Sequence, residues 1–223
     1  MAHANIVFAT PGHSVMMGYL QSLLATVHEL NKRGITWAYA NGYSSHVANA
    51  REVTINGDSE NNIFERHLFH GKMTYDKLMW IDSDITFTPE DVIKLYESDK
   101  DIISGAYLLA SGEVVAYKKI LGKSIAFDEL DNKTELIQVG AVGFGFVCVK
   151  QGVFESLTRP WFQSANGTYI DSETKETVTL PIQGEDISWC QRVADQGYKI
   201  WLDPTVKLIH TKMMRLTWEG PRP

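Results

Sequence analysis

The chain has 223 residues, of which 44% are hydrophobic, and this is enough to bury a full core as one large domain. Its 27 acidic residues against 21 basic ones give a net charge of -6, which argues against a surface built to coat nucleic acid or an anionic membrane. No run of about 18 apolar residues is present, the N-terminus lacks a signal pattern, and the two cysteines have no metal-ligand spacing. We therefore expect a cytoplasmic protein without a transmembrane segment.

The first third of the sequence alternates strand and helix signals. Residues 5–9 form a short apolar strand that runs into the turn-forming segment Thr10-Pro11-Gly12-His13. Apolar residues recur at helical spacing over residues 16–32, and residues 35–40 are predicted as the second strand. A strand–helix–strand opening predicts a parallel sheet with a right-handed crossover.

Further helices and one strand are predicted before residue 100. Ser44 and Ser45 are candidate caps for a helix over residues 47–55, and a second helix is predicted over residues 62–71. Residues 75–81 are predicted as a strand. Thr88 followed by Pro89 and two acids indicates the start of a helix that runs to about residue 98.

The second half is richer in strands and loops. Strands are predicted over residues 101–109, 113–119, 135–139 and 144–150, with a short helix over residues 151–157. Residues 159–179 are polar and rich in turn formers, with Trp161, Phe162 and Tyr169 among them, which is typical of a long functional loop. A helix is predicted over residues 185–196. A strand over residues 198–202 is expected to stop at Asp203-Pro204, and the last strand covers residues 206–209.

Two carboxylates, Asp82 and Asp84, follow the predicted buried strand 75–81 and are separated only by Ser83. Because burying an unpaired carboxylate is costly, we place both at the carboxyl end of that strand, the edge at which open α/β sheets bind ligands. Two acids this close repel each other unless a cation joins them, which favours a divalent metal. The alternative is a polar turn in which the side chains bond to nearby backbone N–H groups.

A second pair of acids and a histidine lie nearer the C-terminus. Glu185 and Asp186 open the predicted helix 185–196, where they are either ordinary first-turn acids or include a general base. His210 ends a predicted strand, and a lone histidine is more often structural than a metal ligand. The glycines of residues 140–145 do not fit a dinucleotide-binding fingerprint, and we interpret them as allowing the backbone to approach a substrate closely.

Taken in order, these motifs resemble the GT-A class of nucleotide-sugar-dependent glycosyltransferases, and most of all the family-2-type enzymes. The similarity covers residues 4–212. It rests on residues 8–12, Ala50-Arg51, D-x-D at residues 82–84, residues 140–146, G-E-D at 184–186, G-Y-x-I-W-x-D-P at 197–204 and His210. The family pattern commonly continues into Q-x-x-R-W, whereas Cys190-Gln191-Arg192-Val193 lacks the tryptophan, which leaves the subfamily and the stereochemistry open.

The resemblance implies a fold and a division of the chain. The fold would be a Rossmann-like three-layer α/β/α arrangement around a central, mostly parallel mixed sheet. The chain would form a single domain, with a nucleotide-sugar-binding half (residues 1–105), an acceptor and catalytic half (residues 106–212) and a C-terminal tail (residues 213–223).

The resemblance also implies roles for individual residues. Thr10, Pro11 and Gly12, in the first loop, would lie beside the base and ribose of the donor. Arg51 would reach the nucleotide or its diphosphate, and Asp82 and Ser83 of the D-x-D motif would also contact the donor. Asp84 would be the principal metal ligand, with Asp82 approaching the metal or the ribose and His210 completing the protein part of the site. Asp186 would be the catalytic base, and Glu185 is the competing candidate.

The function implied is metal-dependent transfer of a sugar from a nucleotide-sugar, with a UDP-sugar expected, to an acceptor hydroxyl with inversion. Oxygen ligands with one imidazole suit Mn²⁺, with Mg²⁺ as the alternative. The acceptor would be a glycan, a lipid-linked glycan, a small molecule or a modified base, with aromatic residues of the 159–181 loop on its side of the cleft. The rival interpretations are a nucleotidyltransferase and a sugar-nucleotide-binding protein without turnover.

Overall fold

The computed structural model describes residues 1–56, 67–120, 122–170, 175–212, 215–217 and 220–222. The strands of the described chain are, in order, β1 (Ala2–Pro11), β2 (Trp37–Gly42), β3 (Met73–Ile81), β4 (Ile85–Thr86), β5 (Ile102–Ala106), β6 (Ala116–Tyr117), β7 (Ile137–Val139), β8 (Ala141–Val142), β9 (Phe146–Lys150), β10 (Ala165–Ile170), β11 (Thr177–Gln183), β12 (Ile200–Lys207), β13 (Ile209–His210), β14 (Arg215–Thr217) and β15 (Gly220–Arg222). The α-helices are α1 (Met17–Lys32), α2 (Val47–Asn56), α3 (Pro89–Glu97) and α4 (Glu185–Asp195).

Seven strands form the central sheet in the order β2-β1-β3-β9-β5-β12-β7. Strands β2, β1, β3, β5 and β12 run in one direction, whereas β9 and β7 run antiparallel to their neighbours. This confirms the mostly parallel mixed sheet. The carboxyl ends of the parallel strands lie at one edge, so the loops that follow β1, β2 and β3 meet there.

Helices cover both faces of the sheet, because its central strands are apolar on both sides. Within β3, Leu78 and Trp80 share a core cluster with residues of α2 and α4. Met79 and Ile81 point the other way and share a second cluster with residues of α1 and α3. All four side chains are fully buried. The predicted three-layer α/β/α arrangement is therefore confirmed, and none of the helices in the described chain is long and apolar enough to cross a membrane.

The start of α3 follows from local sequence. The Thr88 hydroxyl accepts a hydrogen bond from the Asp91 backbone N–H (3.3 Å), and the Asp91 carboxylate accepts one from the Thr88 N–H (2.8 Å). This reciprocal capping box, with Pro89 in the first turn, satisfies donors that would otherwise lack partners. The predicted helix start is confirmed.

Three predicted elements in the second half are wrong. Strand β12 does not stop at Asp203-Pro204 but continues to Lys207, because an irregularity in its pairing with β5 accommodates the proline. The predicted loop 159–179 contains an antiparallel hairpin of β10 and β11. The predicted helix 151–157 is only a 3₁₀ turn over Phe154–Ser156.

Shorter elements also replace two other predictions. The predicted strand 113–119 is reduced to β6. The predicted helix 62–71 lies mostly outside the described residues, and its described end is a 3₁₀ turn over Leu68–Gly71.

Candidate active site

A cavity of about 590 Å³ opens at the carboxyl edge of the parallel strands. Its walls come from the loops after β1, β2 and β3, from the starts of α2 and α4, and from the segments around residues 107–115 and 210–212. The residues that line it include Pro11, Gly12, Tyr43, Arg51, Asp82, Ser83, Asp84, Tyr107, Asp186, His210 and Lys212.

The Asp82-Ser83-Asp84 segment forms a turn directly after β3. The Asp82 backbone N–H donates to the Gly145 carbonyl (3.0 Å), and the Ile85 N–H donates back to the Asp82 carbonyl (3.1 Å). The predicted position of both acids, at the carboxyl end of a buried strand, is confirmed. The short strand β4 then pairs with β13, with Ile85 opposite His210, and this ladder brings residues more than 120 positions apart to the same wall.

His210 lies against Asp84 and is oriented by a second contact. Its Nδ1 is 2.7 Å from the Leu108 carbonyl oxygen, which can only accept, so Nδ1 carries the proton. Its Nε2 faces the Asp84 carboxylate at 3.2 Å. Protein metal ligands commonly show this kind of orientation, in which one ring nitrogen of the histidine donates to a backbone carbonyl and the direction of the other nitrogen is thereby fixed.

Lys212, two residues after His210, contacts the same Asp84 carboxylate. Its Nζ donates to Asp84 Oδ2 at 2.8 Å, and the backbone N–H of Thr211 donates to the Asp84 carbonyl at 2.9 Å. The segment after β13 is thus attached to the Asp82–Asp84 turn by main chain and side chain together.

Arg51 is buried beneath the cavity and holds two other acids. Its Nε lies 3.1 Å from Glu185 Oε1 and its Nη1 lies 3.2 Å from Asp82 Oδ1. The guanidinium also packs over the ring of Phe144, with Cζ 5.4 Å from the centroid. Burial raises the pKa of Asp82, and the neighbouring Asp84 charge adds to this, while Arg51 opposes it. Arg51 therefore joins α2, the end of β3 and the start of α4.

The repulsion between Asp82 and Asp84 is relieved by cationic side chains of the chain itself. Arg51 compensates Asp82, and Lys212 compensates Asp84. Among the residues that the structure describes, no three carboxylate, imidazole or thiol groups gather as a ready-made metal cage. The two acids are therefore compensated by cationic side chains of the chain, and the expectation of a divalent metal beside them stays a prediction. The donor chemistry of a carboxylate beside an oriented imidazole nevertheless fits a divalent cation such as Mn²⁺.

Asp186 is the acid of the second pair that reaches the cavity. It lies in the first turn of α4, where its Oδ1 accepts the Ile187 backbone N–H at 2.8 Å. Burial and the neighbouring Glu185 charge raise the pKa of Asp186 to about 6, in the range suited to a general base near neutral pH. A Cβ on Gly184 would approach the Asp186 carboxylate to 2.6 Å, so the glycine leaves room for this side chain.

Comparisons with known proteins find structural likeness without sequence likeness. No protein-family model matches the chain, and no curated protein sequence does. The solved structure of A197 from STIV is similar with a TM-score of 0.55 and 18% identity, over 99% of this chain and 92% of that one. The catalytic domain of Drosophila beta1,4-galactosyltransferase 7 in complex with xylobiose is similar with a TM-score of 0.51 and 12% identity, over 96% of this chain and 72% of that one. The chain has the GT-A fold. At such low identities the likeness shows the fold alone, so activity must be inferred from the site.

Within this GT-A fold, the predicted donor-binding residues divide into two groups. Pro11, Gly12, Arg51, Asp82 and Ser83 line the cavity. Gly12 has a φ of +133°, a conformation that side-chain-bearing residues rarely adopt. Thr10 does not line the cavity, because its buried hydroxyl is hydrogen-bonded to the Tyr19 hydroxyl. The donor-binding prediction for the Thr10 side chain therefore finds no support in its position.

The two candidate bases are separated by their contacts. Glu185 is buried and ion-paired with Arg51, so its carboxylate is not available at the cavity surface. Asp186 lines the cavity and makes its hydrogen bond to its own helix. The geometry thus favours Asp186 over Glu185 as the candidate base.

The aromatic residues expected on the acceptor side are part of the core instead. Trp161 and Phe162 are fully buried, and Phe162 packs edge-on against Phe144 with ring centroids 5.0 Å apart. Their segment is fixed by Glu52, which accepts the Phe162 N–H (2.6 Å) and pairs with Arg159 (3.2 Å). The assignment of Trp161 and Phe162 to acceptor binding is wrong, and the side chain of Tyr169 lies outside the described part of the chain.

Tyr107 is a cavity residue that sequence reasoning missed. Its hydroxyl accepts the Gly145 backbone N–H at 3.0 Å, and its ring lies edge-on to His210 at 5.3 Å. A Cβ on Gly143 or Gly145 would come within 2.4 Å and 2.6 Å of Tyr107 atoms. These glycines make room for Tyr107 rather than for a substrate, so their interpretation as a substrate approach is wrong. No local motif marks Tyr107. Lys212, by contrast, could have been expected at the cavity, because it lies two residues after His210 in the sequence.

Proposed function

We propose that the protein is a metal-dependent glycosyltransferase that moves a sugar from a nucleoside diphosphate sugar to an acceptor hydroxyl. The observation that carries the proposal is one cavity in a GT-A fold that holds both the Asp84–His210 pair and Asp186 with its raised pKa. The pair supplies metal-ligand chemistry and Asp186 supplies a base, which are the two parts that such a transfer needs.

The donor is proposed to lie between the first loop and the Asp82–Asp84 turn. The volume of about 590 Å³ falls within the range of sites for ligands of this size. Pro11, Gly12 and Ser83 would contact the nucleotide, and we take UDP-sugars as the donors to test first. Arg51 would act by holding Asp82 in place, since its guanidinium is already engaged by two carboxylates.

Asp84 and His210, with Asp82 nearby, would hold the cation, with Mn²⁺ preferred and Mg²⁺ as the alternative. A bound divalent cation supplies positive charge that stabilises the departing diphosphate. The hydrogen bond from His210 Nδ1 to the Leu108 carbonyl leaves Nε2 as the nitrogen facing the site. The imidazole is therefore oriented before any ligand arrives.

Asp186 would take the proton of the acceptor hydroxyl as that oxygen attacks the sugar. With a pKa of about 6, roughly nine-tenths of Asp186 is ionised at pH 7, and the proton it accepts remains weakly enough held to be released. Attack assisted by one carboxylate, with departure of the diphosphate, gives inversion in a single displacement. The acceptor is proposed to be a glycan, a lipid-linked glycan, a small molecule or a modified base.

Incubation of the purified protein with a panel of sugar nucleotides, Mn²⁺ and candidate acceptors tests the proposal. Release of nucleoside diphosphate, lost on removal of Mn²⁺ with a chelator, is the expected result. Release of pyrophosphate from a nucleoside triphosphate and a sugar phosphate would instead indicate a nucleotidyltransferase. Tight binding of a sugar nucleotide with no product from any acceptor or from water would indicate a binding protein.

A further inference from the structure

Lys212 occupies a position that a merely solvent-facing lysine would not. Its Nζ lies 2.8 Å from Asp84 Oδ2, the same oxygen that faces His210 Nε2 at 3.2 Å. It also lines the cavity, although 48% of its side chain is exposed. The oxygen best placed to bind a cation therefore already has an ammonium group as its partner.

The backbone and the side chain of this segment are attached independently. The Thr211 N–H donates to the Asp84 carbonyl, and β13 pairs with β4, so the main chain is fixed beside the turn. The Lys212 ammonium is held only at the end of a flexible four-carbon stem. Because the ladder is formed by main-chain pairing, the ammonium can leave Asp84 without any change in it.

We propose that Lys212 is a tethered counter-ion for Asp84 that a divalent metal must displace, and that the freed ammonium then binds the diphosphate of the nucleotide. This inference rests on the proposed function, since it assumes that Asp84 takes a metal. Before the metal arrives, Lys212 neutralises Asp84 and keeps it from repelling Asp82. Afterwards the same positive charge lies beside the anionic ligand, so neither Asp84 nor Lys212 is left without a partner of opposite charge.

The two roles predict effects of opposite sign when the charge is removed. Without the competing ammonium, Asp84 is freely available, so Lys212→Gln should bind Mn²⁺ more tightly in the absence of nucleotide. With Mn²⁺ saturating, the same variant lacks one cation for the phosphates, so it should bind UDP more weakly. A lysine that only stabilises the fold would not move these two affinities in opposite directions.

The experiment measures Mn²⁺ binding by electron paramagnetic resonance of the free ion and UDP binding by isothermal titration calorimetry at saturating Mn²⁺. Lys212→Gln is expected to tighten Mn²⁺ binding by about threefold or more and to weaken UDP binding by a similar factor, as the loss of one partly exposed charge pair implies. Lys212→Arg should behave as the wild type in both. Lys207→Gln is the matched control, because Lys207 pairs with Asp131 and does not line this cavity.

An Mn²⁺ affinity of Lys212→Gln that is unchanged, weaker or undetectable overturns the inference, and so does unchanged UDP binding. If the wild type also releases nucleoside diphosphate from a sugar nucleotide, only the role of Lys212 is rejected. If instead Lys212→Gln shows the opposed shifts but no sugar nucleotide is turned over, the counter-ion role stands and the glycosyltransferase proposal fails.

Discussion

Replacing Asp186 with Asn is expected to slow transfer strongly and, at the same time, to stabilise the folded protein. The pKa of Asp186 is raised from its ordinary value of 3.8 to about 6, because burial and the Glu185 charge disfavour its ionised form. A difference of about two pKa units corresponds to about 3 kcal/mol of folding free energy that the ionised carboxylate costs at neutral pH. Asn keeps an oxygen that can accept the Ile187 N–H but carries no charge, so this cost disappears.

The sign of the pH dependence follows from the same shift. Below pH 3.8 the carboxyl is protonated in both the folded and the unfolded chain, so the wild type and the Asp186→Asn variant should differ little in stability. Between pH 3.8 and about 6 the unfolded chain ionises first, and the wild type loses stability relative to Asp186→Asn as the pH rises. Above pH 6 the difference is complete and should raise the Tm of the variant by about 6–12 °C above that of the wild type.

Thermal melts of the wild type and Asp186→Asn at pH 4, 5, 6 and 7.5, together with initial rates of nucleoside diphosphate release, measure both effects. Loss of a general base should lower the rate by about 10²–10⁴-fold while Mn²⁺-dependent UDP binding is kept. The wild-type rate should fall about tenfold per pH unit below pH 6. Asp195→Asn, an exposed acid on the same helix, is the control that should change neither property. A variant within tenfold of the wild-type rate, or a Tm difference that is equal at pH 4 and pH 7.5, would refute the reasoning.

Three further changes separate the binding, folding and packing roles. Asp84→Ala or His210→Ala should weaken Mn²⁺-dependent UDP binding by at least about tenfold in calorimetry, because each removes one proposed ligand of the cation. Metal-dependent UDP binding as tight as in the wild type would contradict this. Arg51→Leu should lower the free energy of unfolding, measured in urea, by about 3 kcal/mol, because it leaves Asp82 and Glu185 without their cationic partner. A loss below about 1 kcal/mol would show that these ion pairs matter little. Trp161→Ala should lower the free energy of unfolding by about 3–5 kcal/mol in the same measurement, because the side chain is fully buried, and it should leave the KM for the acceptor unchanged. A raised KM in a variant that remains folded would support a role of Trp161 in acceptor binding.

The sequence was most informative where a local pattern and the overall fold favour the same secondary structure. The apolar run ending at Ile81 required burial on both faces, and the acids after it could only lie at the end of the strand. The capping box at Thr88 and Asp91 determined a helix start through contacts within four residues. Such features depend on neighbours in sequence, so they could be predicted without knowing the fold.

The sequence was least informative where distant partners decide. Trp161 and Phe162 lie in a polar stretch of sequence, yet both are buried. Glu52 of α2 accepts the Phe162 N–H and Arg192 of α4 donates to the Trp161 carbonyl, and these distant contacts hold the stretch against the core. Asp203-Pro204 resembles a strand end, but Asp203 accepts the Thr205 N–H (2.9 Å) and the strand continues. The cations that neutralise the Asp82–Asp84 turn are Arg51 and Lys212, and neither residue lies near the turn in sequence.

Anomalous diffraction at the manganese edge, from crystals grown with Mn²⁺ and UDP, tests the central claim most directly. We expect a single peak within coordinating distance of the Asp84 carboxylate and His210 Nε2, with the diphosphate on its other side and Lys212 moved from Asp84 to the phosphates. A structure in which the nucleotide occupies another part of the molecule, while Asp84 keeps its contacts with His210 and Lys212 and no peak lies between them, would contradict it.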